Sequence, residues 1–205
     1  MSLSRTRSGT AGVIELEVDL SVEGFEREIA ASLAAVAGES RRVILVHNAS
    51  LFVQDTVESV EVDGLRRMLE VALVAPAALN RLLIPHMRPG SSIIYVGSTL
   101  SEKAIPRSFS YVISKHAVVG MMRATCQDLL DRRIHTACVC PGVTDTELLR
   151  ARVGSNVQVL DSLRAMTGAG RLIEPGEIAE VIEWVADHPV LNGTVLHANL
   201  GQRER

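Results

Sequence analysis

Apolar and polar positions along the chain switch repeatedly between two periods. Residues 13–18, VIELEV, alternate, which predicts a half-buried strand. The following VEGFEREIAASLAAVAG places Phe25, Ile29, Leu33 and Val36 on one helical stripe closed by Gly38. RVILV at residues 42–46 is a continuous apolar run, the mark of a strand buried on both faces. A helical pattern extends from about residue 60 to residue 87 and is expected in two pieces because Pro76 lies inside it. SSIIYVGS at residues 91–98 predicts a buried strand, residues 108–131 a long helix, and HTACVCPG at residues 135–142 another strand. EPGEIAEVIEWVADH has Pro175 and Glu177 in its first turn and predicts a helix, and GTVLHANLG predicts a last strand.

Strand and helix alternate throughout, with no repeat, linker or low-complexity stretch. This pattern predicts an α/β fold in which parallel strands are joined by right-handed crossovers, giving a doubly wound, Rossmann-like sheet with helices on both faces. One domain is expected over residues 1–205.

Composition narrows the function classes. Of the 205 residues 47% are apolar and the net charge is -3, so no basic footprint for nucleic acid is present. Aromatics are only 3%, so Val, Leu, Ile and Ala must build the core. The longest apolar run, residues 71–79, falls short of the ~20 residues that span a bilayer. The polar, basic start is followed by no apolar stretch and does not read as a secretory signal. The three cysteines show no metal-ligand spacing, and Cys138 and Cys140 point to one face of a strand. Small buried thiols in a reducing cytoplasm, with no metal site and no membrane, are the expectation.

In parallel sheets, ligands bind beyond the carboxyl ends of the strands. Asp19, Asn48, Ser98 and the Pro141-Gly142 pair fall there. In SYVISKHAVVG, Tyr111 and Lys115 stand four apart, one helical turn on one face. A free phenol has a pKa of ~10 and is a poor base at neutral pH, whereas a nearby cation favours the phenolate. A shift of ~2–3 units would let Tyr111 exchange a proton with an alcohol or carbonyl oxygen, and Ser98 could hydrogen-bond that oxygen. Each feature alone is common: helical Tyr-Lys pairs arise by chance, and serines at strand ends often cap turns.

In combination they resemble the short-chain dehydrogenase/reductase family. SSIIYVGS is followed thirteen residues after Ser98 by Tyr111 and then Lys115, matching the family's serine and Y-x-x-x-K spacing. HNAS at residues 47–50 is similar to its N-N-A-G motif, LLIPHM at residues 82–87 to the end of its central helix, and PGVTDTEL from Pro141 to its P-G-x-x-x-T loop. EVDLS at residues 17–21 resembles the end of its third strand, and EPGEIAE and NGTVLHANLG its closing helix and strand.

The resemblance implies an NAD(P)-dependent oxidoreductase interconverting an alcohol and a carbonyl. Tyr111 would be the general acid/base, Lys115 would lower its pKa and bind the nicotinamide ribose, and Ser98 would orient the substrate oxygen. Asp19 would lie near the adenine, Asn48, Ala49 and Gly142 would line the cofactor cleft, and Thr146 would meet the nicotinamide end. A homodimer or homotetramer through the helix carrying Met121 and Met122 is the family default. Residues 148–166 would shape the substrate pocket.

The family opens with a strand, a T-G-x-x-x-G-x-G turn, a helix and a second strand, and none of these is evident here, so the sheet is expected to be truncated at its N-terminal side. Ser4 to Thr6 resembles the residues just after the second strand. Gly9 and Gly12 precede a strand instead of joining a strand to a helix, which fails the requirement for a dinucleotide fingerprint. Strand 13–18 is therefore expected to close the gap, in the simplest case by pairing with residues 43–46, and otherwise to lie as a loose edge or pair with another subunit. The family's helical asparagine aligns with Ala72, and His47 is expected to bond nearby backbone. Two other readings stay open: a lyase, isomerase or dehalogenase using Ser98 and Tyr111 without nicotinamide, and a non-catalytic oligomerising relative.

Overall fold

The computed structural model of the protein describes residues 1–154 and 156–202; Ser155, within the expected substrate-pocket segment, lies outside them. The described strands form two parallel sheets. Strands β3 (Ile44–His47), β4 (Ser92–Val96), β5 (His135–Pro141) and β6 (Val195–Ala198) lie side by side in that order. Strands β1 (Ser2–Ser4) and β2 (Glu15–Glu17) form a separate pair.

Strand β3, expected to be buried on both faces, leaves Ile44 and Val46 exposed, because no described element covers that face at the edge of the four-stranded sheet. The core around β4 and β5 is layered as their continuous apolar runs require. On one face Ile93, Tyr95, Cys138 and Cys140 meet Val118, Val119 and Met122 of helix α4 (Phe109–Asp128). On the other, Ile94, Ala137 and Val139 meet Val185 and Ala186. These last two belong to α7 (Pro175–Asp187), the helix opened by Pro175 and the Glu174–Glu177 capping box. Burial of each Ile, Val or Met side chain among them contributes about 1.5–3 kcal/mol. All five residues of β4 are buried, which makes it the centre of the doubly wound sandwich. Helix α1 (Phe25–Glu39) buries Phe25, Ile29, Leu33 and Ala37. It runs on through Gly38, and Val36 sits at the margin of its stripe.

The helical stretch of residues 62–83 is divided as expected, but by a different device. Helix α2 (Val62–Leu69) passes through a π-turn at Glu70–Val74 into α3 (Ala75–Leu83), with Pro76 in the first turn of α3. Proline lacks an N–H and crowds the carbonyl four residues back, and a turn with one extra residue relieves both. The continuous stretch Val62–His86 is long and apolar enough, at mean hydropathy 1.5, to cross a membrane by length and composition. Its apolar stripe is nevertheless used inside the fold, where Ala75, Leu79 and Leu83 pack on α1 and Ala72 packs against the α4 cluster.

Two expectations about the start of the chain are corrected. Residues 15–17 do not pair with residues 43–46. They pair with Ser2–Ser4, a strand that three short polar-flanked residues gave no periodic signal for. Parallel β1 and β2 satisfy each other through Ser2 N–H to Ile14 O at 2.8 Å and Val18 N–H to Ser4 O at 2.9 Å. A gap therefore remains in the sheet between β1 and β3, bridged on one face by α1, whose cluster takes in Leu3 and Leu16 from one side and Val43 and Leu45 from the other.

Candidate active site

The turn after β4 is built around Gly97 and Ser98. A Cβ at Gly97 would stand 2.7 Å from Cys140 Sγ and 2.9 Å from Cys138 Sγ, so only glycine lets the chain leave the strand this close to β5. The cysteines are free and buried, as their pattern predicted. Ser98 N–H donates to Ser101 Oγ at 3.0 Å, and Ser98 Oγ accepts from Leu100 N–H at 3.1 Å, a reciprocal cap that holds the half-buried Ser98 at the strand end.

Helix α4 carries Tyr111 and Lys115 on one face. The Lys115 ammonium lies 5.6 Å from the centre of the Tyr111 ring. It donates to Val96 O at 2.9 Å, tying the helix to the end of β4 two residues before Ser98. Lys115 is only 4% exposed, and burial pulls its pKa from 10.5 down to about 8. Tyr111 is half-buried, with the Phe52 ring 5.1 Å away at 57°.

The start of α4 is fixed by a residue that sequence reasoning missed. Buried Asp55 accepts from Ser110 N–H at 3.0 Å and from Ser110 Oγ, and its carbonyl accepts from Phe109 N–H at 3.3 Å. It acts as a helix cap supplied from a distant loop, one residue before Tyr111. Nothing local to Ser110 marks it, because its capping partner lies fifty-five residues earlier in the chain.

A cleft of about 1230 Å³ opens beside Lys115 and is walled also by Asp19, Asn48 and Ala49. One Asp19 oxygen accepts from Ser21 N–H at 2.9 Å and Ser21 Oγ at 2.7 Å. These bonds, with the charges of Arg5 and Arg67, hold its carboxyl below the usual carboxylate range. Of the residues singled out in the sequence, Asp19, Asn48, Ala49 and Lys115 are thus gathered on one cavity; Tyr111 lies one turn before Lys115 on α4 and Ser98 two residues beyond the end of β4, and neither is on the cavity walls. Gly142 and Thr146 are not on its walls. Gly142 packs against the end of β6, where a Cβ would come within 2.9 Å of Asn199 Cα. Thr146 caps α5 (Glu147–Val153), accepting from Leu149 N–H at 3.3 Å.

His47, on the cleft wall, bonds a side chain instead of the expected backbone. Its Nε2 lies 2.8 Å from Asn80 Oδ1, Asn80 Nδ2 donates to Tyr95 OH at 2.7 Å, and Tyr95 OH lies 2.9 Å from Thr125 Oγ1. Thr125 Oγ1 in turn donates to Met121 O at 2.9 Å. With the proton on Nε2, each hydrogen bond in this line from β3 to α4 has one donor and one acceptor. Burial pulls the His47 pKa down to about 4, against the opposing bond to Asn80. Asn80 and Thr125 had no sequence signal, since their partners lie on three separate elements, β3, β4 and α4.

The cleft fits a dinucleotide unevenly. Its walls carry donors on Lys115 and Asn48 and an acceptor on Asp19. A pyrophosphate, however, needs glycine-bearing backbone N–H groups at a helix N-terminus. Each described turn from a strand into a helix holds at most one glycine. The early glycine loop is already filled from within: Glu15 accepts from Ser8 N–H at 2.7 Å and Gly9 N–H at 3.3 Å.

A family model described as Enoyl-(Acyl carrier protein) reductase matches residues 4–202. The chain belongs to the short-chain dehydrogenase/reductase family. Among curated members it is 29% identical over 165 residues to an uncharacterised oxidoreductase of Thermotoga maritima, covering 77% of this chain and 66% of that one. Among solved members, aldohexose dehydrogenase of Thermoplasma acidophilum superposes with a TM-score of 0.87 at 25% identity, over 97% of this chain and 82% of that one. The angucycline C-6 ketoreductase LanV with bound NADP superposes with a TM-score of 0.82 at 27% identity, over 92% and 74%. The chain thus spans about two thirds of the length of the curated short-chain dehydrogenase/reductases it matches, at 66%, 68% and 69% of the first three.

Proposed function

We propose that this chain serves NAD(P)-dependent interconversion of a small-molecule alcohol and its carbonyl. The observation that carries the reading is the buried Lys115 ammonium, 5.6 Å from the Tyr111 ring and on the wall of the cleft shared with Asn48 and Asp19. Tyr111 gives and takes the proton at the substrate oxygen. Lys115 favours the phenolate electrostatically, and its partly desolvated charge strengthens that effect. Ser98 hydrogen-bonds the same oxygen. A nicotinamide, when bound, supplies or accepts the hydride. Lys115, Asn48 and Ala49 would hold its ribose end and Asp19 its adenine end, with Gly142 and Thr146 closing the nicotinamide side. Binding to NADP by LanV supports the cofactor class. Association through α4 into a homodimer or homotetramer, in a reducing cytoplasm that suits three free thiols, belongs to the same reading.

Titration of NADPH and NADH, followed by cofactor fluorescence, tests it. Weak but saturable binding that Lys115→Met diminishes is expected. No saturable signal at roughly ten millimolar cofactor, beyond the KM range of typical enzymes, would overturn the dehydrogenase reading. A second reading, use of Ser98 and Tyr111 without nicotinamide, is favoured by one observation, the lack of a phosphate cradle among the described residues. Turnover of a screened substrate without cofactor, lost in Tyr111→Phe, would establish it.

A further inference from the structure

Cys138 and Cys140 form a thiol pair beneath the Ser98 turn that the proposed chemistry does not use. Their sulfurs lie 3.8 Å apart on one face of β5, and neither residue is exposed. Reactive thiols sit among positive charges and hydrogen-bond donors within reach of solvent, whereas purely structural ones do not. Here the donors are present. Hydrogen bonds from the Cys138 thiol, the Ser101 hydroxyl and Ser98 N–H, with the charge of His197, favour the Cys140 thiolate against the opposing effect of burial. The Lys115 ammonium interacts favourably with both sulfurs.

Solvent is one side chain away. Cys140 is paired in register with His197 on β6, the edge strand of the sheet. His197 Nε2 lies 2.9 Å from Glu102 Oε2, and both side chains are partly exposed, at 35% and 47%. Exposed pairs of this kind contribute little to stability, and local opening at a sheet edge costs far less than unfolding.

We propose that Cys138 and Cys140 are a peroxide-sensitive pair whose disulfide disturbs the Ser98 turn. With His197 turned aside, the Cys140 thiolate attacks one oxygen of hydrogen peroxide. An S–O bond forms, the O–O bond breaks, and the departing hydroxide takes up the proton that Cys140 released. The Cys138 sulfur then attacks the Cys140 sulfur. The S–S bond forms, the S–O bond breaks, and hydroxide leaves with the Cys138 proton as water. Two electrons pass from the two sulfurs to the peroxide, and exchange with a reducing dithiol reverses the step.

The bridge acts through Val139, the residue between the cysteines. Residues two apart on a strand are separated by about 6.6 Å at Cα, near the upper limit for a disulfide, which prefers about 5.5–6 Å. Closing the bridge therefore shortens β5 at Val139. Val139 O accepts from Gly97 N–H at 2.8 Å, the bond that seats the turn carrying Ser98. The same step removes the thiolate that accepts from Ser101 and Ser98. A strained bridge is also an easily reduced one, as a reversible site requires. Oxidation of the pair stands independently of the proposed chemistry; only its effect on turnover rests on that reading.

The probe is hydrogen peroxide on the full chain, quenched with catalase before denaturation in excess N-ethylmaleimide and mass spectrometry. Of the three free thiols, two are expected to escape alkylation. The peptide containing residues 138 and 140 should lose two hydrogens, and dithiothreitol should restore both thiols. Cys126→Ser should oxidise in the same way. Cys138→Ser, with no second sulfur, should instead give a Cys140 sulfenic acid that dimedone captures. Amide exchange at Gly97 should speed up by at least about tenfold in the oxidised protein, as amides do when a ladder bond is lost. Alkylation of all three thiols after treatment would overturn the proposal, as would a link between two chains through Cys126 in place of the internal bridge. So would a bridge that leaves Gly97 exchange unchanged. NADPH titration in the same samples separates the two ideas. A reversible bridge in protein with no saturable cofactor binding would leave the thiol pair intact as a site and count against the dehydrogenase reading. Saturable cofactor binding with every thiol still alkylated would do the reverse.

Discussion

The ammonium of Lys115 stands 5.6 Å from the centre of the Tyr111 ring while donating to Val96 O at 2.9 Å. One cation thus couples the phenol to the end of the central strand. In this geometry Tyr111→Phe keeps the ring, its packing on Phe52 and the ammonium, and removes only the hydroxyl. We expect oxidoreduction to fall by about 10²–10⁴-fold, with NADPH binding unchanged by fluorescence titration. Equal loss of binding and turnover would argue against a proton-transfer role.

Lys115 is a stability cost kept for its position. Its folded pKa of about 8 lies below the ordinary 10.5, so at pH 7 it is charged in both states and burial opposes folding. Between about pH 8 and 10.5 the unfolded chain binds the extra proton, and stability rises with pH. Lys115→Met should therefore be more stable by about 1–3 kcal/mol at pH 7, less the bond to Val96, with the advantage shrinking above pH 8. Denaturant titrations of both proteins across that range check the sign.

His47 gives the opposite end of the pH scale a similar dependence. Its folded pKa, pulled down to about 4, lies below the ordinary 6.5. The contribution of neutral His47 is complete above pH 6.5 and is lost as pH falls from there towards 4, where both states are protonated. Because His47 keeps part of its surface on the cleft, the loss should be about 2 kcal/mol, below the full conversion of the shift. His47→Gln, which can still donate to Asn80, should lack this slope when unfolding is followed at several pH values.

Asp55 should matter to the site without touching it. Asp55→Ala leaves Ser110 N–H and Oγ buried without their carboxylate, at a cost of about 2–4 kcal/mol. Asp55→Asn, which can still accept from Ser110 N–H, should recover about half of that. Helix α4 unfolding ahead of the rest, seen as faster amide exchange at Val112 and Ile113, is the expected signature in the alanine variant.

The sequence was most legible where structure is local. Period changes placed β3, β4, β5, α1, α4 and α7 within a few residues, because an apolar stripe or run must be buried wherever it forms. The four-residue spacing of Tyr111 and Lys115 became proximity for the same reason: one helical turn is a local fact. β1 escaped because three residues carry no period.

What the chain alone determined is therefore the order of its elements, the two-sided burial of the central strands and the phenol–ammonium pair on one helix face. What only the tertiary structure decided is which edges meet. It paired Glu15–Glu17 with Ser2–Ser4 instead of Ile44–His47, left a slot floored by α1, and brought His47, Asn80, Tyr95 and Thr125 into one line. These outcomes depend on hydrogen bonds between residues distant in the chain. Periodicity records which face of an element is buried, and it carries no information about which neighbour lies along its edge.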